Sequence, residues 1–293
     1  MSMNHTEKEV QRQPSSRSLR DLLPGQSRTK EIRSLLPHPT HVIREQDEDT
    51  GRYLVYKERG ETLAILLKRF RSEQGVSQDV PITYAGRLDP MAEGIVLLLV
   101  GNARYLKDDY LKLSKTYEVE VLLGVTTDTQ DMLGVITREE YRPLLKERIA
   151  QTVEQLINIH ELQYPSYSSV IVESKPLFVH ARAGNSVLIP SKKVEITEAT
   201  LLHVRIVALE AIVRDALSDI GKVEGDFRQV QIMKQWQGAL QTHKEHIVTI
   251  ATIRVTASSG TYMRSVATWI GEQLGVPALA YKIKRTKLGD FTL

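Results

Sequence analysis

The run "GIVLLLVG", Gly94 to Gly101, restricts the possible folds more than any other stretch of the chain. It is far shorter than the roughly 20 apolar residues that cross a bilayer. It also lacks the polar alternation that would let one face meet water, so it reads as a strand buried on both sides. Directly ahead of it stands "YAGRLDPMAE", in which a single acid, Asp89, lies between a Gly-Arg-Leu turn and Pro90. A carboxylate on a tight turn anchored by a core strand is held in one place, as a reacting group must be. The plain alternative is an aspartate that caps a turn.

Other segments add helices and strands in irregular alternation. In "ETLAILLKRFRSE", Leu63, Leu66, Leu67 and Phe70 recur at helical spacing. "KTYEVEVLLG" sets Tyr117, Val119 and Val121 against Glu118 and Glu120, the pattern of a half-buried strand. Residues 144 to 158 read as a helix, 163 to 184 as an irregular excursion, 186 to 210 as strand-like, and "GDFRQVQIMKQWQGALQ" as a helix with Trp236 on its apolar face. The end reads as strand "IATIRVTA", turn "SSGTY", a helix "MRSVATWIGEQL" stopped by Gly275, and a strand region "AYKIKRTKLGDFTL". Strands and helices mixed without a βαβ repeat predict an α+β fold around one mixed sheet. No internal repeat is visible.

With no cysteine among 293 residues, disulfides and thiolate chemistry are excluded. The eight histidines are scattered and suggest no metal cluster. A formal charge of +3 permits a polyanionic partner without requiring one. Residues 1 to about 45, rich in Ser, Gln, Pro and Arg, are expected to form a disordered arm, with one folded domain over 46–293. The N-terminus has no hydrophobic signal core, so a cytoplasmic protein without a membrane anchor is expected. Phosphate-binding, dinucleotide-binding, zinc-protease and serine-hydrolase signatures are all missing.

Five blocks, in order, resemble the TruB family of pseudouridine synthases. "GRLDPMAEG" is similar to that family's Gly-x-Leu-Asp-Pro-x-Ala-x-Gly loop. "KTYEVEVLLGVTTDTQDMLG" resembles its Lys-x-Tyr strand followed by Thr-Asp-Thr-x-Asp-x-x-Gly, and "QYPSYSSVIVESKPLFVHARAG" resembles its RNA-gripping segment. "SSGTYMRSVATWIGEQLG" and "KIKRTKLGDF" are similar to its Ser-x-Gly-Thr-Tyr-x-Arg helix start and its terminal strand. The resemblance implies the pseudouridine synthase fold, a central mixed and largely antiparallel sheet flanked by helices, with an RNA-binding insertion at about 144–185. It further implies a monomeric, cofactor-free and metal-free enzyme. Its substrate would be RNA, expected to be the T-arm of tRNA, with the T-loop uridine at position 55 isomerised.

Carried over residue by residue, Asp89 would act at the ribose, Tyr117 would stack on the flipped uracil, and Arg264 would pair with Asp89. Asp131, Tyr262 and Ile283 would contact substrate, and Lys57 and Lys115 stand where the family carries lysines near the site. Tyr84 replaces the family's histidine, and Arg182 closes the gripping segment. Lys175, His180, Lys192, Lys193, Lys282, Lys284, Arg285 and Lys287 are expected on a basic rim for RNA. The chain departs from the pattern at "KERG" (Lys57 to Gly60), at Ser166 and "SVIV", and in extra material at about 210–247. It ends directly after "GDFTL", so the family's C-terminal RNA-binding domain is expected to be absent. Two rivals stand beside this reading: modification of another RNA, and a non-catalytic RNA-binding or RNA-folding module.

Overall fold

A computed structural model describes residues 42–43, 51–243 and 245–293; the arm expected over residues 1–45 lies outside them apart from Val42 and Ile43. Those two form β1 (Val42–Ile43), which pairs with β2 (Arg52–Lys57). Next comes α1 (Leu63–Gln74), the amphipathic helix expected from its leucines. The Thr62 hydroxyl accepts from the Ile65 N–H at its start, and Gly75 ends it in the left-handed conformation at φ 62°. β3 (Ile82–Ala85) and β4 (Ala92–Val100) flank the Asp89 turn, and α2 (Lys107–Lys112) leads into β5 (Lys115–Leu123). A hairpin, β6 (Val125–Thr127) and β7 (Ile136–Glu139), precedes α3 (Lys146–Glu154).

The excursion holds β8 (Glu161–Gln163), the short pair β9 (Ile171–Val172) and β10 (Lys175–Pro176), and α4 (Leu177–Arg182). β11 (Ser191–Lys193) and the long β12 (Ile196–Ala208) follow. α5 (Leu209–Gly221) and α6 (Gln229–Thr242) then form a helical pair. β13 (Ile247–Ala257), α7 (Met263–Leu274), β14 (Ala278–Leu288) and β15 (Phe291–Thr292) complete the chain. The sequence pattern anticipates α6 but not α5. The buried Ile212, Val213, Ala216 and Ile220 of α5 lie at helical spacing, but they follow β12 without a Gly or Pro to mark the change.

The main sheet runs in the order β1-β2-β4-β14-β5-β13-β12, with β3 pairing on β4 and β15 on β14. Only β4 and β14 run parallel; the other pairings in it are antiparallel, so the sheet is mixed and largely antiparallel as expected. On one face Val96, Leu98, Val119 and Val121 pack under α1, α3 and α7. On the other, Ile95, Leu97 and Leu99 form a second layer, and Leu122, Ile250 and Leu279 pack under α5 and α6 around the fully buried Trp236. Residues on both faces of β4 are therefore buried, which is why its sequence is an unbroken apolar run. No helix among the described residues is long and apolar enough to cross a membrane.

Candidate active site

The turn between β3 and β4 is gripped from beneath. The Ala92 N–H donates to the Asp89 carbonyl at 3.0 Å, closing the turn. Lys57, at the end of β2 and wholly buried, donates from Nζ to the carbonyls of Ala92 (2.5 Å), Glu58 (3.1 Å) and Pro90 (3.2 Å). The Gly60 N–H adds a bond to the Pro90 carbonyl at 2.8 Å. From β14, Arg285 donates from Nε to the Ile95 carbonyl at 2.7 Å and from Nη2 to the Gly86 carbonyl at 2.9 Å. Gly94, at φ 114°, lets the two parallel strands meet: a Cβ there would stand 2.2 Å from the Arg285 carbonyl oxygen.

Asp89 itself is 29% exposed, and it faces Arg264 in the first turn of α7. Arg264 Nη2 lies 2.9 Å from Asp89 Oδ2 and its side chain is only 3% exposed. The same guanidinium donates to the carbonyls of Thr129 (2.8 Å) and Tyr167 (3.2 Å), so its plane is fixed independently of the carboxylate. Asp131 Oδ2 sits 3.9 Å from Arg264 Nε, too far for a hydrogen bond. Asp131 Oδ1 instead accepts from the Thr129 hydroxyl (2.7 Å) and the Leu133 N–H (2.9 Å). Burial pushes the Asp131 carboxyl above the usual carboxylate range, with Arg264 pulling against that. For Arg264, burial works against the charge, but Asp89 and Asp131 more than restore it.

The ion pair stands on a wall between two hollows. One, of about 230 Å³, is lined by Gly86, Lys115, Tyr117, Ile283 and Arg285. The other, of about 310 Å³, is lined by Asp131, Tyr167, Phe178, Arg182 and Phe227. Both share Arg87, Asp89, Tyr262 and Arg264. A carboxylate held at the edge of a half-apolar hollow, with a tyrosine opposite and a guanidinium orienting it, suits nucleophilic or proton-transfer chemistry on a ring-shaped group.

Residues 76–215 match the TruB family pseudouridylate synthase N-terminal domain. A tRNA pseudouridine synthase B of Geobacillus kaustophilus is 30% identical over 245 residues, which are 83% of this chain and 72% of that protein. The chain belongs to the TruB family. Its counterpart in Bacillus cytotoxicus, also a tRNA pseudouridine synthase B, is 30% identical over 83% of this chain and 67% of its own length. The chain spans about half the length of the matching chain in a solved Cbf5-Nop10-Gar1 complex, at 16% identity, TM-score 0.49 and 83% coverage of this chain.

Of the residues that the family resemblance singled out, Asp89, Tyr117, Arg264, Tyr262, Ile283 and Lys115 line the first hollow together. Lys115 Nζ is tied to the carbonyls of Leu111 (2.7 Å) and Leu113 (2.6 Å), and burial beside Arg285 lowers its pKa to about 8. The Tyr262 ring meets Tyr164 edge-on at 5.7 Å. Arg182 lines the second hollow and donates to the Asp226 carbonyl at 2.9 Å.

Several expectations are corrected by placement. Lys57 lies beneath the Asp89 turn and lines neither hollow, because its ammonium is consumed by three carbonyls. Tyr84, on β3 opposite Leu98, packs on the main core and also lines neither. Arg285 is no rim residue: at 1% exposure it sits beneath the turn, paired across β14 and β5 with Tyr117. His180 is likewise buried, its Nε2 3.0 Å from the Val172 carbonyl. An arginine within "KIKRTK" carries no sequence signal separating it from its less buried lysine neighbours, except that it falls on the inward phase of the strand.

Proposed function

We propose that the protein isomerises uridine to pseudouridine in RNA, with Asp89 as the residue that acts at the ribose. The observation that carries this is the placement of Asp89: a carboxylate on a turn braced by Lys57 and Arg285, paired with Arg264, and lining with Tyr117 a hollow of about 230 Å³. The reaction breaks the bond from C1′ to N1 and rejoins the same base through C5, so no group is gained or lost and no oxidation state changes. Asp89 Oδ acts at C1′, by addition or by starting departure of the base as a uracil anion. Tyr117 stacks on the base once it is out of its helix, and Ile283 closes the apolar side of the hollow. Arg264 pairs with the carboxylate and aims it. Lys57 and Arg285 position the turn, and the Thr129 and Tyr167 carbonyls position Arg264, with Asp131 adding charge beside it.

tRNA is the substrate this reading favours, because the relatives in Geobacillus and Bacillus carry tRNA in their names, and the T-arm is the part of it that the family resemblance implies. Extracting a base from folded RNA costs a few kcal/mol, roughly, which stacking and backbone contacts must offset. The protein works as a monomer in the cytoplasm, where such RNA is found. The test is pseudouridine mapping on an unmodified tRNA transcript by carbodiimide adduct and primer extension, with Asp89→Asn alongside. A stop at the T-loop uridine that vanishes with Asp89→Asn, while filter binding of RNA persists, is the expected result. Label appearing only in bulk RNA moves the target. RNA retained with no chemistry on any RNA would leave a binding module.

A further inference from the structure

The second hollow is partly built by material in which the chain departs from the family pattern. Phe227 and Arg228, on the loop between α5 and α6, stand in its wall. Arg228 holds a left-handed backbone at φ 64°, a costly conformation for a side-chain-bearing residue. Its guanidinium is locked onto Asp128 at 2.6 and 3.2 Å and lies 4.7 Å over the Tyr167 ring. Arg182 Nη2 reaches across to the Asp226 carbonyl of the same loop. Gln229 ties the loop to itself through Phe227 N, Val223 O and Gly225 O. The loop is therefore fastened to the excursion from two sides, which places the Phe227 ring at the hollow with little freedom to leave.

The hollow also holds an unmet polar group. Ser168 lines it, is 5% exposed, and its hydroxyl has no hydrogen-bond partner among the described residues. A buried hydroxyl without a partner costs free energy that a hydrogen-bonding ligand would recover. Phe178 and Phe227 offer apolar ring faces, Arg87 and Arg182 offer positive charge, and Ser168 offers a polar contact. That combination of flat apolar surface, cations and one polar group fits a nucleotide: base against rings, phosphate against guanidinium. At about 310 Å³ the hollow is larger than the first, and it shares Asp89 and Arg264 with it. The two hollows therefore adjoin at the ion pair.

We infer that this hollow is a base compartment for the nucleotide next to the isomerised uridine, with Phe227 of the α5–α6 loop as its stacking wall and specificity-determining residue. The inference rests on the reading of the protein as a pseudouridine synthase acting on RNA. The test uses the full chain and RNA hairpins with one target uridine, either intact or abasic at the nucleotide immediately 5′ or immediately 3′ to it. Dissociation constants are measured with Asp89→Asn protein, with and without Phe227→Ala, and product formation is followed with the parent protein.

Removal of the base on one side is expected to weaken binding at least about fivefold. With Phe227→Ala the intact hairpin should bind equally weakly, and base removal should cost nothing more. Arg182→Ala serves as a second variant and should weaken binding to every hairpin while leaving the effect of base removal in place. Additive losses from Phe227→Ala and base removal would overturn the assignment, as would indifference to both abasic positions. Failure of the synthase reading shows separately, as no pseudouridine from the parent on any hairpin, while the binding arm still reports on the compartment.

Discussion

Arg285 donates to the carbonyl of Gly86, 2.9 Å away, while its Nε holds the carbonyl of Ile95 at 2.7 Å, so one buried guanidinium spans the turn that carries Asp89. Burial lowers its pKa from the ordinary arginine value and the Tyr117 side chain opposes that, which couples the brace to a ring lining the first hollow. A lysine has a single donor atom in place of the planar fork, so it loses the two separately aimed bonds that Nε and Nη2 make here. Arg285→Lys is expected to fold, with a melting temperature lowered by several degrees. Its kcat should fall on the order of 100-fold, since displacement of a reacting group by about 1 Å costs that much. KM should change little. Steady-state kinetics beside circular-dichroism melting checks this; a normal kcat would remove Arg285 from the positioning role.

Arg264 is shared by two carboxylates, at 2.9 Å from Asp89 and 3.9 Å from Asp131. Its removal strands Asp131, which is 5% exposed. Arg264→Gln should therefore destabilise the protein by about 3–5 kcal/mol, the usual consequence of leaving one member of a buried pair behind. Adding Asp131→Asn should recover part of that loss without recovering turnover, because the orientation of Asp89 is still missing. Urea melts of the single and double variants, read against single-turnover rates, separate the two effects.

Lys57 and Lys115 give the protein a pH signature. Burial lowers both from the ordinary 10.5 to about 8 in the folded state. Above pH 8 the unfolded chain therefore holds protons the folded one has released, and stability rises with pH until the unfolded lysines titrate. Buried Tyr56, Tyr141 and Tyr281 act oppositely: their folded pKa values are raised above 10, so they lose stability once unfolded tyrosines ionise. The urea midpoint should climb from pH 8 to about 10 and fall beyond it. Lys57→Met should flatten the climb. A parent midpoint that is level between pH 8 and 9.5 would count against the depressed lysines.

Gly94 tolerates no side chain. A Cβ would lie 2.2 Å from the Arg285 carbonyl oxygen and 2.7 Å from its nitrogen, both backbone atoms, and φ is 114°. Gly94→Ala should push β4 and β14 apart where Arg285 pairs with Gly94, costing more than about 3 kcal/mol. Soluble yield and melting temperature report it. Gly184→Ala, at φ 69° with open space around its Cβ, is the control and should cost only about 1 kcal/mol.

Patterns that span only a few residues are legible in the chain itself. The apolar run of β4, the alternation in β5 and the glycine stop after α7 are each set by burial or backbone freedom acting over close neighbours. Asp89, Tyr117 and Arg264 are legible because each lies in a block that resembles the TruB family. α5 is not, since its apolar helical face follows a strand without punctuation.

What the tertiary structure alone decided is which cations are spent on bracing the Asp89 turn. Lys57 and Arg285 look like solvated charges in sequence, yet both are spent on carbonyls of the Asp89 turn, contributed by strands on either side of β4. The second hollow is of the same kind: Tyr167, Phe178 and Phe227 come from segments up to 60 residues apart. The sequence by itself determined the family and the layered α+β architecture and singled out Asp89, because those follow from local pattern. The bracing of that aspartate and the shape of what lies beside it depend on contacts between distant strands and loops, for which a chain read in order carries no local signal.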